Sequence, residues 1–92
     1  MPIIRFADSF SKSLRKFTKN NKKRTQAVKK ALVLFQKNPR HPSLRTEKLK
    51  NSKDWTVRVD RGNRMFFRWS GKGDTAIFYF IGPHDAYKVK KN

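Results

Sequence analysis

Trp55-Thr56-Val57-Arg58-Val59, Met65-Phe66-Phe67-Arg68-Trp69 and Ala76-Ile77-Phe78-Tyr79-Phe80-Ile81 decide the fold of this chain. In the first run apolar residues alternate with polar ones, the pattern of a strand with one face in the core. Asp60-Arg61-Gly62-Asn63 and Gly71-Lys72-Gly73-Asp74 separate the runs, and both have the residue types of tight turns. Short turns force successive strands to lie antiparallel. The third run is apolar on both parities, which predicts an inner strand covered on both sides.

Upstream, Ile3-Ile4-Arg5-Phe6 predicts a short opening strand, with Asp8-Ser9 as candidate caps for a helix. Phe10, Leu14 and Phe17 recur at helical spacing until Asn20-Asn21 breaks the pattern. A second helix is predicted from about Lys22, with Val28, Ala31, Leu32 and Phe35 on one face. It ends before Asn38-Pro39, because a residue preceding proline avoids the helical region. The expected architecture is α+β in one domain over residues 1–92: strand, two-helix hairpin, then a three- to four-stranded antiparallel meander. Both helices are expected on one face of the sheet.

The chain carries 24 basic and 6 acidic residues, a formal net charge of +18. Self-repulsion at that level destabilises a compact state unless a polyanion or an acidic partner offsets it. Half of the basic residues lie between Asp8 and Glu47, where there is no acid, as expected of an electrostatic footprint on a large RNA. Cysteine is absent, which excludes disulfides and thiolate chemistry and suits a reducing cytoplasm. No apolar run approaches the length needed to span a bilayer. Two histidines and scattered acids give a metal little to bind, so neither metal nor other cofactor is expected.

The candidate site residues fall in two places. On the meander, Arg58 has the opposite parity to Trp55, Val57 and Val59, while Arg64 and Arg68 share a face of the next strand with Phe66 between them. Arginines flanking an aromatic ring offer bidentate phosphate contacts and a stacking surface. Past the last strand, Gly82-Pro83-His84-Asp85-Ala86-Tyr87 supplies an imidazole, the group best suited to proton exchange near neutral pH. Lys48, Lys50 and Lys53 extend the positive surface, and Glu47 beside them is either an ion-pair partner or a proton acceptor. His41, between two prolines, is expected to be structural.

The runs His41 to Lys50, Trp55 to Val59, Asn63 to Phe67 and Ile81 to Tyr87, in this order and spacing, resemble the RelE/ParE superfamily of toxins from bacterial toxin–antitoxin systems. The RelE-type messenger RNA interferases are the most similar branch. The resemblance implies a four- or five-stranded, mainly antiparallel sheet with two N-terminal helices. It also implies a toxin that enters the ribosomal A site and cuts the message without a metal. There the RNA's own 2′-hydroxyl attacks, giving a 2′,3′-cyclic phosphate and a free 5′-hydroxyl.

Position by position, the resemblance implies that Arg64 stabilises the phosphorane and His84 serves the leaving group. Tyr87 would stack on or orient the substrate, and Arg58 stands where some members have a strand lysine. Glu47 is approximately in register with a carboxylate used elsewhere as general base, with Lys48 as the alternative acceptor. Lys48, Lys50, Arg68 and Phe66 would hold RNA. Thr56 stands where some members have a second strand lysine. The implied partners are messenger RNA, the ribosome and an acidic antitoxin. The chain would be a monomer when free and a hetero-oligomer with the antitoxin, reaching operator DNA only through it. Two other readings share the fold: a ParE-like inhibitor of DNA gyrase, and a non-catalytic basic domain that binds RNA or the ribosome.

Overall fold

In the structure, a computed structural model describing residues 1–83, one five-stranded sheet carries two helices on a single face. Strand β1 (Ile3–Phe6) leads into α1 (Asp8–Thr18) and α2 (Lys22–Lys37). A 3₁₀ turn (Pro42–Leu44) and the strands β2 (Glu47–Lys48), β3 (Trp55–Asp60), β4 (Asn63–Ser70) and β5 (Thr75–Pro83) follow. The sheet order is β1-β5-β4-β3-β2, with β1 parallel to β5 and every other pair antiparallel. The meander and helical hairpin are therefore as expected, on a five-stranded, mainly antiparallel sheet with one parallel pair. β2 is an additional strand whose two residues, Glu47 and Lys48, are too few to carry a pattern.

The helices form for the reasons the sequence suggests, with one change at the first cap. Ala7, not Asp8 or Ser9, occupies the N-cap of α1, and no side chain caps it. Asp8 lies in the first turn, where a negative charge complements the helix dipole. Ser9 instead donates to the Tyr79 carbonyl at 2.7 Å, tying the helix to β5. Asn20 adopts a left-handed φ of 53°, and Asn21 caps α2 by accepting from the Arg24 amide at 3.0 Å.

Phe10 and Phe17 of α1 and Val28, Ala31 and Phe35 of α2 meet Val57, Met65, Phe67, Ala76, Phe78 and Ile81 in one core. Burial of these groups is the main stabilising term. Among the described residues no helix is long and apolar enough to cross a membrane.

β5 does not follow a simple alternation. Phe66 pairs with Phe80 and Phe67 with Phe78, so Tyr79 is an extra residue, a β-bulge. Ala76, Phe78 and Ile81 face the helices, while Tyr79 and Phe80 both pack beside Phe66 on the opposite side. The doubly apolar reading of this strand thus has a local cause: the core parity shifts by one residue at the bulge. No second layer of described residues covers that side.

Candidate active site

The face of the sheet away from the helices is organised in rows across the strands. Arg58 of β3 pairs directly with Arg64 of β4, and Arg64 with Gly82 of β5. Like charges directly opposite one another destabilise a sheet, so this pairing is a local cost. The next row holds Thr56, Phe66 and Phe80, and Glu47 of β2 pairs with Thr56. Beyond it lie Asp54, Arg68 and Tyr79.

Arg64 is fixed from three sides. Its Nη1 donates to the Arg45 carbonyl at 3.1 Å and to the Thr56 hydroxyl at 3.0 Å, and it lies 3.6 Å from Glu47 Oε1. Its side chain is only 12% exposed, that of Glu47 56%. The connector before β2 makes this possible. His41 Nδ1 accepts from the Ser43 amide, Thr46 donates to the Pro39 carbonyl, and Arg45 takes a left-handed φ of 46°. The bend holds the Arg45 carbonyl against Arg64, and His41 has the structural role expected of it. Thr56, 1% exposed, is the buried polar group that orients the guanidinium.

Arg45, Arg58, Arg61 and Arg64, with Asp60 and Asn63, line a cleft of about 170 Å³. Asp60 Oδ1 accepts from the Gly62 amide and the Asn63 side chain, which ties that oxygen to the turn. Four guanidinium groups around so small a space favour an anion with several acceptor oxygens.

The other expected site residues are placed as follows. Glu47 lies on the arginine side, whereas Lys48 pairs with Trp55 and so has the parity of the helix-covered face. Lys50 is exposed in the turn after β2. Phe66 is 3% exposed beneath Phe80 and Tyr79, a correction to its reading as a stacking surface. Phe80, half-buried above it, is the ring nearer the surface. The Phe80 ring also lies over Gly82, where an added Cβ would stand 2.7 Å from it, so only glycine leaves that ring in place. His84 and Tyr87 lie outside the described residues. Sequence reasoning missed Arg45, Arg61, Asp54 and Tyr79, and noted Thr56 only as standing in place of a strand lysine. Thr56 and Arg61 had a usable signal, Thr56 in sharing the parity of Arg58 and Arg61 in adjoining Arg58 through the turn.

Arg68 is engaged differently from Arg64. Its Nε donates to Asp54 Oδ1 at 2.7 Å, the Tyr79 hydroxyl donates to the same oxygen at 2.5 Å, and the guanidinium lies 5.8 Å from the Tyr79 ring centre. Burial pushes the Asp54 carboxyl up, but hydrogen bonds from Arg68 and Tyr79 and the Arg68 charge outweigh it. The net value lies below the usual carboxylate range. Burial first, and then the bond to Asp54, push the Tyr79 hydroxyl well above its ordinary value.

A carboxylate depressed in the folded state stabilises the fold above its unfolded value, about 3.9. That contribution is lost as pH falls through the lower folded value. The tyrosine contribution is complete below about pH 10 and disappears as pH rises beyond it. Melting temperatures between pH 5 and pH 2 are expected to fall less steeply for Asp54→Asn than for wild type. Identical slopes would mean that the Asp54 bonds do not couple to folding.

No family model matches the sequence, and no curated protein does. Solved structures match closely in shape. A YoeB/ParE toxin from Agrobacterium tumefaciens superposes with a TM-score of 0.74 at 15% identity, over 89% of this chain and 98% of that one. YafQ from E. coli strain BL21(DE3) gives 0.74 at 19% identity, over 95% and 98%. The YoeB–YefM complex from Staphylococcus aureus gives 0.70 at 18% identity, over 91% and 98%. The match runs nearly end to end on both sides, through the crossover from β1 and the meander. This chain has the fold of the RelE/ParE toxins.

Proposed function

We propose that this chain is the toxin of a type II toxin–antitoxin pair and an endoribonuclease that cuts messenger RNA on the ribosome by attack of the 2′-hydroxyl. The observation that carries the reading is the arginine cleft together with Glu47, which lies 3.6 Å from the mostly buried Arg64 that lines it. In this scheme Arg58 and Arg64 hold the scissile phosphate and neutralise the charge it gains as the pentacoordinate state forms. Lys50, exposed in the turn after β2, adds to the positive charge. Glu47, on the same side of the sheet as Arg64, takes the 2′-hydroxyl proton, and the parity of Lys48 disfavours it for that role. His84 donates to the departing 5′-oxygen, and Tyr87 orients the base beside it. The 2′-oxygen bonds to phosphorus as the bond to the 5′-oxygen breaks, leaving a 2′,3′-cyclic phosphate and a 5′-hydroxyl.

Structural relatives that are toxins, alone or in complex with an antitoxin, support the toxin role. The charge of +18 favours two alternative counter-charges, RNA when active and an acidic antitoxin at rest.

Addition of the chain to a translating extract, with the 3′ and 5′ ends of the fragments mapped, tests the reading. New ends at fixed codon positions are expected, carrying 2′,3′-cyclic phosphates and requiring translation. His84→Ala is expected to reduce cutting by about 10²–10⁴-fold, the worth of a positioned general acid. Intact messages, together with inhibition of gyrase supercoiling, would overturn the ribonuclease assignment.

A further inference from the structure

We infer that Asp54, Arg68 and Tyr79 form a base-reading subsite for a nucleotide flanking the cut. The inference rests on the ribonuclease reading above. Arg68 lies four residues along β4 from Arg64 on the same face, about 13 Å away at the rise of a strand. A single RNA strand covers such a span in a couple of nucleotides. The path between the two arginines crosses Phe66 and Phe80, so a strand anchored in the arginine cleft passes over aromatic rings to reach Arg68.

The chemistry at the two ends differs. The arginine cleft has excess positive charge and suits phosphate. At Arg68 the carboxylate of Asp54 lies 2.7 Å from the guanidinium and cancels its charge, which makes the pair a poor phosphate site. Instead it presents an acceptor and a donor side by side. Arg68 and the Tyr79 hydroxyl both donate to Oδ1 of Asp54. A carboxylate has about four acceptor positions, so two donors on Oδ1 leave it able to accept a ligand N–H as well. The Arg68 side chain is 58% exposed and that of Asp54 21%, so both are reachable. Nucleobase edges carry such neighbouring donors and acceptors, and unstacked bases are read in this way.

The Asp54 carboxylate is also held in place before any ligand arrives. Ser52 accepts from its amide, its carbonyl accepts from the Leu49 amide, and Tyr79 is fixed at the bulge of β5. Donors from two strands, Arg68 of β4 and Tyr79 of β5, therefore converge on one oxygen of this carboxylate.

The experiment maps cut sites across a library of messages and compares base frequencies at each position around the cut. Wild type, Arg68→Ala and Asp54→Asn are run in parallel, and their thermal melts are recorded. Wild type is expected to favour certain bases at one position offset from the cut. Arg68→Ala should reduce that discrimination about tenfold, the order of one donor–acceptor contact to a base. Asp54→Asn replaces an acceptor with a donor and should change which base is favoured. If Asp54→Asn melts early, Arg68→Gln replaces it, since the Arg68 side chain is largely exposed.

A wild type that cuts while both variants keep its base bias overturns the subsite alone. Unchanged bias with weakened antitoxin binding overturns it in favour of a protein contact. A wild type that makes no cuts removes the ribonuclease reading and the subsite with it.

Discussion

Arg64→Ala is expected to lower message cutting by about 10²–10³-fold with little loss of ribosome binding, the range for removing one donor aimed at developing transition-state charge. The size follows from how the side chain is held. Arg64 is nearly buried, and one of its nitrogens is shared among the Arg45 carbonyl, the Thr56 hydroxyl and the Glu47 carboxylate. A donor fixed before the substrate binds does not have to reorganise as charge builds up on phosphate.

Arg64→Lys is expected to rescue little, because a single ammonium cannot both satisfy Thr56 and present a planar pair of donors to phosphate. Thr56→Val tests the positioning separately. It keeps the shape but removes the hydroxyl, so turnover should fall while the affinity for ribosomes stays. Rates from single-turnover primer extension, beside sedimentation binding to ribosomes, separate these effects. If Arg64→Ala cuts at the wild-type rate, the arginine cleft does not hold the reacting phosphate.

The elements that were legible in the sequence are those whose patterns are local. The alternation in Trp55 to Val59, the turn residues at Asp60 to Asn63 and the helical spacing of Phe10, Leu14 and Phe17 each report their own surroundings. What was hidden depends on distant partners. β1 pairs with β5 across some seventy residues of chain, and nothing in Ile3 to Phe6 says which edge it joins or that it joins in parallel. The bulge at Tyr79 was masked because an apolar strand tolerates either parity.

The site divides in the same way. Arg58 and Arg64 were legible from parity, as was their shared face. The grip on Arg64 was not, because it uses a backbone carbonyl at Arg45, whose residue type says nothing about where its oxygen points. The engagement of Arg68 by Asp54 was not legible either, because it depends on the segment just before β3 lying beside β4.

Phe35→Ala is expected to be the most damaging single truncation in the core. The ring is fully buried and meets Phe67 edge-on at 5.0 Å, Phe78 edge-on at 5.2 Å and Trp69 in a stacked arrangement at 5.9 Å. It joins α2 to β4 and β5 at once, so the hole it leaves has walls on several elements and cannot close by moving one of them. Truncations of this kind cost about 3–5 kcal/mol, from lost transfer energy and the cavity together. A domain of this size has roughly 5–15 kcal/mol to lose, and self-repulsion at +18 lowers the starting point.

For so small a domain each kcal/mol shifts the melting temperature by about 4–8 °C, so a fall on the order of 15 °C or more is expected. Val33→Ala, on the same helix but 54% exposed, is the control and should change it by no more than about 3 °C. Added salt should raise the melting temperatures of all three proteins by screening the excess charge, without closing the gap between them. A small effect of Phe35→Ala would mean that α2 does not lie on the sheet through this ring, and the connector that α2 leads into would then have no fixed platform from which to hold the Arg45 carbonyl against Arg64.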